Sequence, residues 1–144
     1  MLSYTFISDP TENQIQDIIR LYQLEKWWES GSDNPGMVKK IISGSHCFAA
    51  AMENESIIGM GRAISDRASD AYIQDVTVLP HFRGQAIGSQ IIRMIIETLN
   101  QDGIGWIGLI AEKNANAFYK PLGFSVMPNA TPMLKKKQIK KDIK

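Results

Sequence analysis

Apolar and polar positions follow two periods along the chain, and the switches between them mark out its elements. Residues 3–7 are rich in aromatic and β-branched side chains and predict a short first strand. Asp9-Pro10-Thr11-Glu12 is a helix-start signal, and Ile15, Ile18, Ile19 and Tyr22 follow at helical spacing, predicting a helix that runs to Trp27 or Trp28. The breaker stretch 30–36 ends it, and 37–43 predicts a second, short helix. Residues 46–52 and 57–64 read as two strands of a hairpin turning at 53–56. Residues 71–79 alternate until Pro80 stops them. Apolar residues at 87, 91, 92, 94, 95, 96 and 99 predict a helix over 87–100 that is apolar nearly all round. A buried-type strand over 104–111, a short helix over 114–122 and a strand over 124–127 follow, and a last strand begins at Met133. The order β-α-α-β-β-β-α-β-α-β-β opens with antiparallel strands and makes the strands flanking the long helix parallel. That predicts an α/β fold with a mixed sheet and helices on both faces.

Composition narrows the class. The 144 residues fit a single domain over 1–134 followed by a basic tail over 135–144. With 44% hydrophobic and 22% charged residues, the chain is ordinary for a globular protein. The net charge of +1 hides a split: the last ten residues hold six Lys and one Asp, a charge of +5, and the other 134 carry −4. Basic residues confined to one terminus make no extended basic face, so nucleic acid is not expected as a partner. The tail reads as the end of the last strand or a frayed terminus. Apolar runs fall far short of the roughly 20 residues that cross a bilayer, so no membrane span is expected. The first residues lack the basic and apolar regions of a signal peptide, and a cytoplasmic location is expected. Cys47 is the only cysteine and reads as a small core residue; with His46 and His81 the only histidines, no metal site is expected. Neither histidine has a recognisable catalytic partner in the sequence.

The most informative segment runs Asp75-Val76-Thr77-Val78-Leu79-Pro80-His81-Phe82-Arg83-Gly84-Gln85-Ala86-Ile87-Gly88-Ser89. A strand ends, a small-residue loop turns and a helix begins, which aims backbone N–H groups and the positive helix end at one spot suited to phosphate oxygens. Gly84 and Gly88 permit close approach of an anion, and Arg83 adds a positive charge. The segment lacks the Gly-Lys-Ser/Thr of a P-loop and the three glycines of a dinucleotide fingerprint. Taken alone, the loop also reads as a tight strand-to-helix turn without a ligand.

The loop resembles that of the GNAT superfamily, the acyl-CoA-dependent N-acyltransferases, whose pattern is Arg or Gln, two residues, Gly or Ala, one residue, Gly or Ala. Arg83, Ala86 and Gly88 fit it, with Ala86 where Gly is commoner. Ala117-Phe118-Tyr119-Lys120-Pro121-Leu122-Gly123-Phe124 is similar to a second family feature, Phe/Leu-Tyr-x-x-x-Gly-Phe, and the element order matches across essentially the whole chain. The resemblance implies a mostly antiparallel sheet with a central, splayed parallel strand pair, the cofactor filling the gap between residues 71–79 and 104–111. It implies acetyl-CoA as cosubstrate, its pyrophosphate held by N–H groups of Arg83, Gly84, Gln85, Ala86, Ile87, Gly88 and Ser89, and its pantetheine arm paired with Val76, Thr77 and Val78. The family often has Asn seven residues before the tyrosine; Glu112 stands there, with Asn114 and Asn116 nearby as candidate cofactor contacts.

The chemistry implied is acetyl transfer to a primary amine, small or on a protein, by direct attack in a ternary complex. Tyr119 is the candidate proton donor to the departing thiolate, since a phenol with pKa near 10 stays protonated at neutral pH; by spacing alone it reads equally as a core tyrosine. A backbone N–H near Val76 is the candidate carbonyl polariser. Asp75 is unusual within a strand and reads either as base, water-orienter or amine-binding carboxylate, or as a solvent-facing or hydrogen-bonded bulge position. Glu112 and Glu29 are weaker candidates for the base. Trp28 and Glu29, with Trp27, precede a loop that in this superfamily covers the acceptor pocket, where an aromatic wall suits a cationic or aryl amine. A non-catalytic acyl-CoA-binding regulatory module on the same fold is the alternative. A homodimer paired through the C-terminal strand fits this fold.

Overall fold

Thr11 starts the first helix by satisfying two end groups at once. Its hydroxyl accepts the Gln14 N–H at 3.1 Å, and the Gln14 side chain accepts the Thr11 N–H at 2.9 Å, a capping box worth about 1 kcal/mol. The computed structural model describes residues 1–29 and 35–135, and within it the chain divides into two compact units, Met1–Leu109 and Ile110–Lys144.

The first unit holds β1 (Leu2–Phe6), α1 (Glu12–Leu24), α2 (Pro35–Gly44), β2 (Cys47–Glu53), β3 (Ser56–Ser65), β4 (Asp70–Val78), α3 (Ile87–Gln101) and β5 (Trp106–Gly108). The five strands lie in the order β1-β2-β3-β4-β5; the first four are antiparallel and β5 joins β4 in parallel. Period-2 burial sorts the two faces. Phe48, Ala50 and Met60 point towards α1 and α2, where Ile18, Leu21 and Val38 close the core. On the other face β3 offers Gly59 and Gly61, and α3 settles there with Ile87, Ile91, Ile92, Ile95 and Leu99 buried. A Cβ on Gly61 would stand 2.9 Å from Ile91 Cγ2, so the missing side chain lets the helix reach the sheet. The mixed, mostly antiparallel sheet with helices on both faces is as the sequence predicts.

Two elements of this unit, α1 and β5, are shorter than the prediction. Helix α1 stops at Leu24 rather than Trp27 or Trp28, because Lys26 turns left-handed (φ 62°) and the Trp27 and Trp28 N–H groups both return to the Tyr22 carbonyl. Strand β5 covers three residues rather than 104–111: its rungs run from Asp70↔Trp106 to Tyr72↔Gly108, while β4 continues to Val78. The parallel pair therefore parts after its third rung, as a splayed pair should. The cause lies in β4, where the register against β3 slips between Met60 and Arg62 and Asp75 sits at φ 59°. This β-bulge bends β4 and raises its twist just beyond the last rung.

The second unit begins with left-handed Lys113 and Asn114 (φ 55° and 62°) and holds a single helical turn, α4 (Asn116–Tyr119), which tightens into a 3₁₀ turn over Lys120–Leu122. Gly123 ends it at φ 100°. The predicted helix over 114–122 is thus a turn and a half, and no strand forms over 124–127 or 133–135. Pro128, left-handed Asn129 and Pro132 interrupt any continuous ladder there. The basic tail predicted over 135–144 lies, apart from Lys135, outside the described residues.

Candidate active site

The site is built from one strand with an open edge and the helix that follows it. Leu79 N–H donates to the Ile58 carbonyl at 2.8 Å, and Thr77 pairs with Met60. Alternation along an antiparallel ladder then turns the N–H and C=O of Thr77 towards β3 and those of Val76 and Val78 the other way. That other side is where β5 has already left, so these groups line the gap. The Val78 carbonyl is taken by Arg83, whose Nε–H donates to it at 2.8 Å.

After Pro80–Phe82 the chain reaches α3 through Gly84 (φ 82°) and Ala86 (φ 62°). Ala86 is the N-cap residue of α3, in the left-handed conformation and without a side-chain cap. An L-residue pays about 1–2 kcal/mol for that backbone. Such strain survives where the surroundings impose it, and it collects at ligand sites. The first-turn N–H groups of Ile87, Gly88 and Ser89 consequently lack a capping side chain at a positive helix end, an arrangement suited to phosphate.

Asp75 takes the bulge position, and its Oδ2 accepts two hydrogen bonds, from Arg62 Nε–H at 2.7 Å and the Tyr22 hydroxyl at 2.8 Å. Tyr22 is buried on α1 with its ring stacked on Trp28 (4.3 Å between centroids, 7° between planes) and Trp27 edge-on at 6.0 Å. Burial, and secondarily the Asp75 charge, pushes the Tyr22 phenol far above its ordinary value, so it is a neutral donor. Three residues further on, Glu25 accepts from the Thr77 hydroxyl at 2.5 Å and from Arg83 at 3.1 Å. Thus Asp75, Thr77, Arg83 and Trp28 are gathered around the end of α1, Trp28 packs against the core through Tyr22, and Trp27 and Glu29 are exposed.

Tyr22, Glu25 and Arg62 escaped the sequence reading. Glu25 carries the one usable signal: a carboxylate at a helix C-terminus opposes the helix dipole and therefore calls for cationic or donor partners. Tyr22 looks like any core position of an amphipathic helix, and Arg62 like any polar residue on a strand.

In the second unit Tyr119 is half-buried between Phe118 (4.9 Å, 79°) and Phe124 (5.8 Å, 78°), both edge-on. Desolvation first, then the charge of Glu112, holds its phenol above the usual value, so it keeps its proton at neutral pH. Asn114 and Asn116 are exposed, at and just before the turn that carries the tyrosine.

Away from the gap, His46 has structural partners: Nδ1 lies 2.6 Å from Ser65 Oγ and Nε2 2.7 Å from Asp102 Oδ2. The imidazole ties the start of β2 to the end of β3 and the C-cap of α3. Cys47 is half-buried, and desolvation pushes its thiol up to about 11, which suits the core role expected of it. His81 is exposed beside Phe82.

The model of the acetyltransferase (GNAT) family matches residues 12–124. Over 76 residues the chain is 45% identical to histone acetyltransferase TAP1 of Glycine max, covering 53% of this chain and 33% of that protein. It is 33% identical over 118 residues to the uncharacterized N-acetyltransferase ycf52 of Pyropia yezoensis, covering 77% of this chain and 68% of that one. The chain therefore spans about a third of the length of the Glycine max relative. A solved structure of a GNAT-family acetyltransferase from Streptococcus pneumoniae superposes with a TM-score of 0.79 at 22% identity, covering 96% of this chain and 100% of that one. Open-edged β4, the uncapped α3 terminus and a family match over most of the sequence agree, and the chain belongs to the GNAT acetyltransferase family.

Proposed function

We propose that the protein is an acetyl-CoA-dependent N-acetyltransferase that acetylates a primary amine by direct attack. The observation that carries this reading is the continuity between the free edge of β4 at Val76–Val78 and the uncapped N-terminus of α3. An extended pantetheine arm can add to such an edge as a strand does, and its phosphates then meet the first-turn N–H groups. Gly84 and Ala86 provide the turn between the two, and a Cβ built on Gly84 meets nothing within 4 Å, so that stretch has room for a ligand.

Acetyl-CoA, when bound, supplies an activated thioester. The chain's own groups do the rest. The Val76 N–H polarises the carbonyl as attack by the amine nitrogen places negative charge on its oxygen. The ammonium gives one proton to solvent before attack. The C–S bond breaks with its electron pair on sulfur, Tyr119 supplies the proton that this thiolate takes up, and the proton shed by the new amide nitrogen restores the phenol. Asp75 sets a negative charge on β4 for the incoming ammonium, while its ties to Arg62 and Tyr22 make it a fixed carboxylate. Trp27, Trp28 and Glu29 stand at the end of α1 as candidate walls for the acceptor, and Asn114 and Asn116 as candidate cofactor contacts.

The test is thiol release from acetyl-CoA across a panel of small amines and lysine peptides. Amine-dependent release is expected, with kcat of Tyr119→Phe lowered by about 100-fold or more, the range for loss of a positioned acid. Binding of acetyl-CoA without turnover on any amine would instead favour a non-catalytic acyl-CoA module.

A further inference from the structure

Strand β4 has one strand neighbour where the proposed reaction needs its backbone firm. From Ile73 to Val78, among the described residues only β3 pairs with it, and within that stretch the ladder is broken by the extra residue Asp75 at φ 59°. The direction of the Val76 N–H, the next amide along, depends on that bulge holding its shape. Backbone pairing cannot hold it alone, because the slip in register removes ladder contacts at this point.

Side chains supply what the ladder lacks. Arg62 reaches from β3 to Asp75 Oδ2 and rests its other arm on Ser45 Oγ at 3.3 Å, while that hydroxyl donates to the Ile41 carbonyl at 2.6 Å. Tyr22 reaches the same oxygen from α1, its ring fixed by Trp28. Two donors from two elements on a single carboxylate oxygen leave the bulge residue little freedom, and the charge-assisted bond from arginine is the stronger kind. Both come from the face of the sheet that α1 and α2 cover, so they grip β4 without using its open edge.

We propose that Arg62 and Tyr22 are positioning residues: through Asp75 they set the bulge that aims the Val76 N–H at the acyl carbonyl. The proposal rests on the acetyltransferase reading above. It also assigns Asp75 the part of a strut rather than of a base, since receiving the amine's proton would cost the carboxylate the charge that holds Arg62.

The test uses the full chain with a CoA thioether ketone, S-(2-oxopropyl)-CoA, labelled with ¹³C at the keto carbon. Hydrogen bonding to the keto oxygen moves this resonance downfield on binding to the wild type. In Tyr22→Phe and Arg62→Lys, which keep ring and charge, it is expected to return at least halfway to the free value. In turnover kcat should fall about 10-fold, less than the roughly 100- to 1000-fold of an oxyanion donor removed outright because the N–H is misaimed rather than lost, while KM for acetyl-CoA stays within about twofold. Asp75→Asn, close in shape, should give the same pattern, and serves if either other variant fails to fold. Variants that lose only thermal stability, with resonance and kcat as in the wild type, would overturn the proposal and leave the acetyltransferase reading standing. A wild type that does not bind the ketone would overturn both.

Discussion

Ala86 carries a local cost that glycine would not. Its left-handed backbone is the position where the family pattern commonly has Gly, and only Ala, the smallest L side chain with a Cβ, stands in for it here. Ala86→Gly relieves the steric cost but gives the unfolded chain more freedom, so a net gain of about 0.5 kcal/mol is expected, read as a small rise in Tm. A fall in Tm would show that the loop holds this alanine without strain. Tyr22 makes a second prediction, in pH. A group that holds its proton more tightly in the folded state adds stability below its unfolded value, near 10 for a phenol, and loses it as pH rises further. The stability advantage of the wild type over Tyr22→Phe should therefore shrink above about pH 10 in denaturant titrations. Constancy of that advantage to pH 11 would count against a buried, neutral Tyr22.

At the scale of elements, the packing of α3 on the sheet depends on two missing side chains. Gly61→Ala would bring a methyl to 2.9 Å from Ile91 and 3.2 Å from Val76. Overpacking of this kind costs about 1–3 kcal/mol. Because Gly61 lies opposite the bulge, the substitution should weaken cofactor binding as well as lower Tm; a change in Tm alone would mean that the helix gives way and the strand does not. Elements whose periodicity is strong were legible in the sequence: α3 from its near-continuous apolar surface, and β2 and β3 from a hairpin pattern with a clear turn. The loop from Arg83 to Ser89 was legible because its glycine and small residues are demanded by local backbone geometry. The three-residue length of β5 was not, because the bulge in its distant neighbour β4 settles it. The end of α1 turns on the left-handed Lys26, and the missing strands after Gly123 on Pro128, Asn129 and Pro132, local breaks that the apolar pattern does not register. Asp75 shows the limit at residue resolution. An aspartate within a strand announced an irregularity, but the sequence could not say that Arg62 and Tyr22 would meet there.

For the molecule as a whole, charge is distributed against the expected cofactor. The first 134 residues carry −4, and CoA is a polyanion, so binding has to come from local donors: the α3 terminus and the amides of the loop. Even Arg83 is shared with Glu25. Deleting 135–144 would change the net charge from +1 to −4. At low ionic strength this should raise KM for acetyl-CoA a few-fold, and the difference should fade towards 0.5 M salt, where the Debye length is about 4 Å. An effect that persists at high salt would point to direct contact rather than to a long-range field.

The parting of β4 from β5 also gives the strand an unequal seal against solvent. Thr77 and Leu79 have their amides tied to β3, whereas those of Val76 and Val78 face the gap. Amide hydrogen exchange should therefore be slow, fast, slow, fast from Leu79 back to Val76, a two-residue rhythm within one element. Acetyl-CoA that pairs with this edge would slow the fast pair and leave the slow pair nearly unchanged. The strand would thus report its own occupancy, amide by amide, before any acceptor amine is identified.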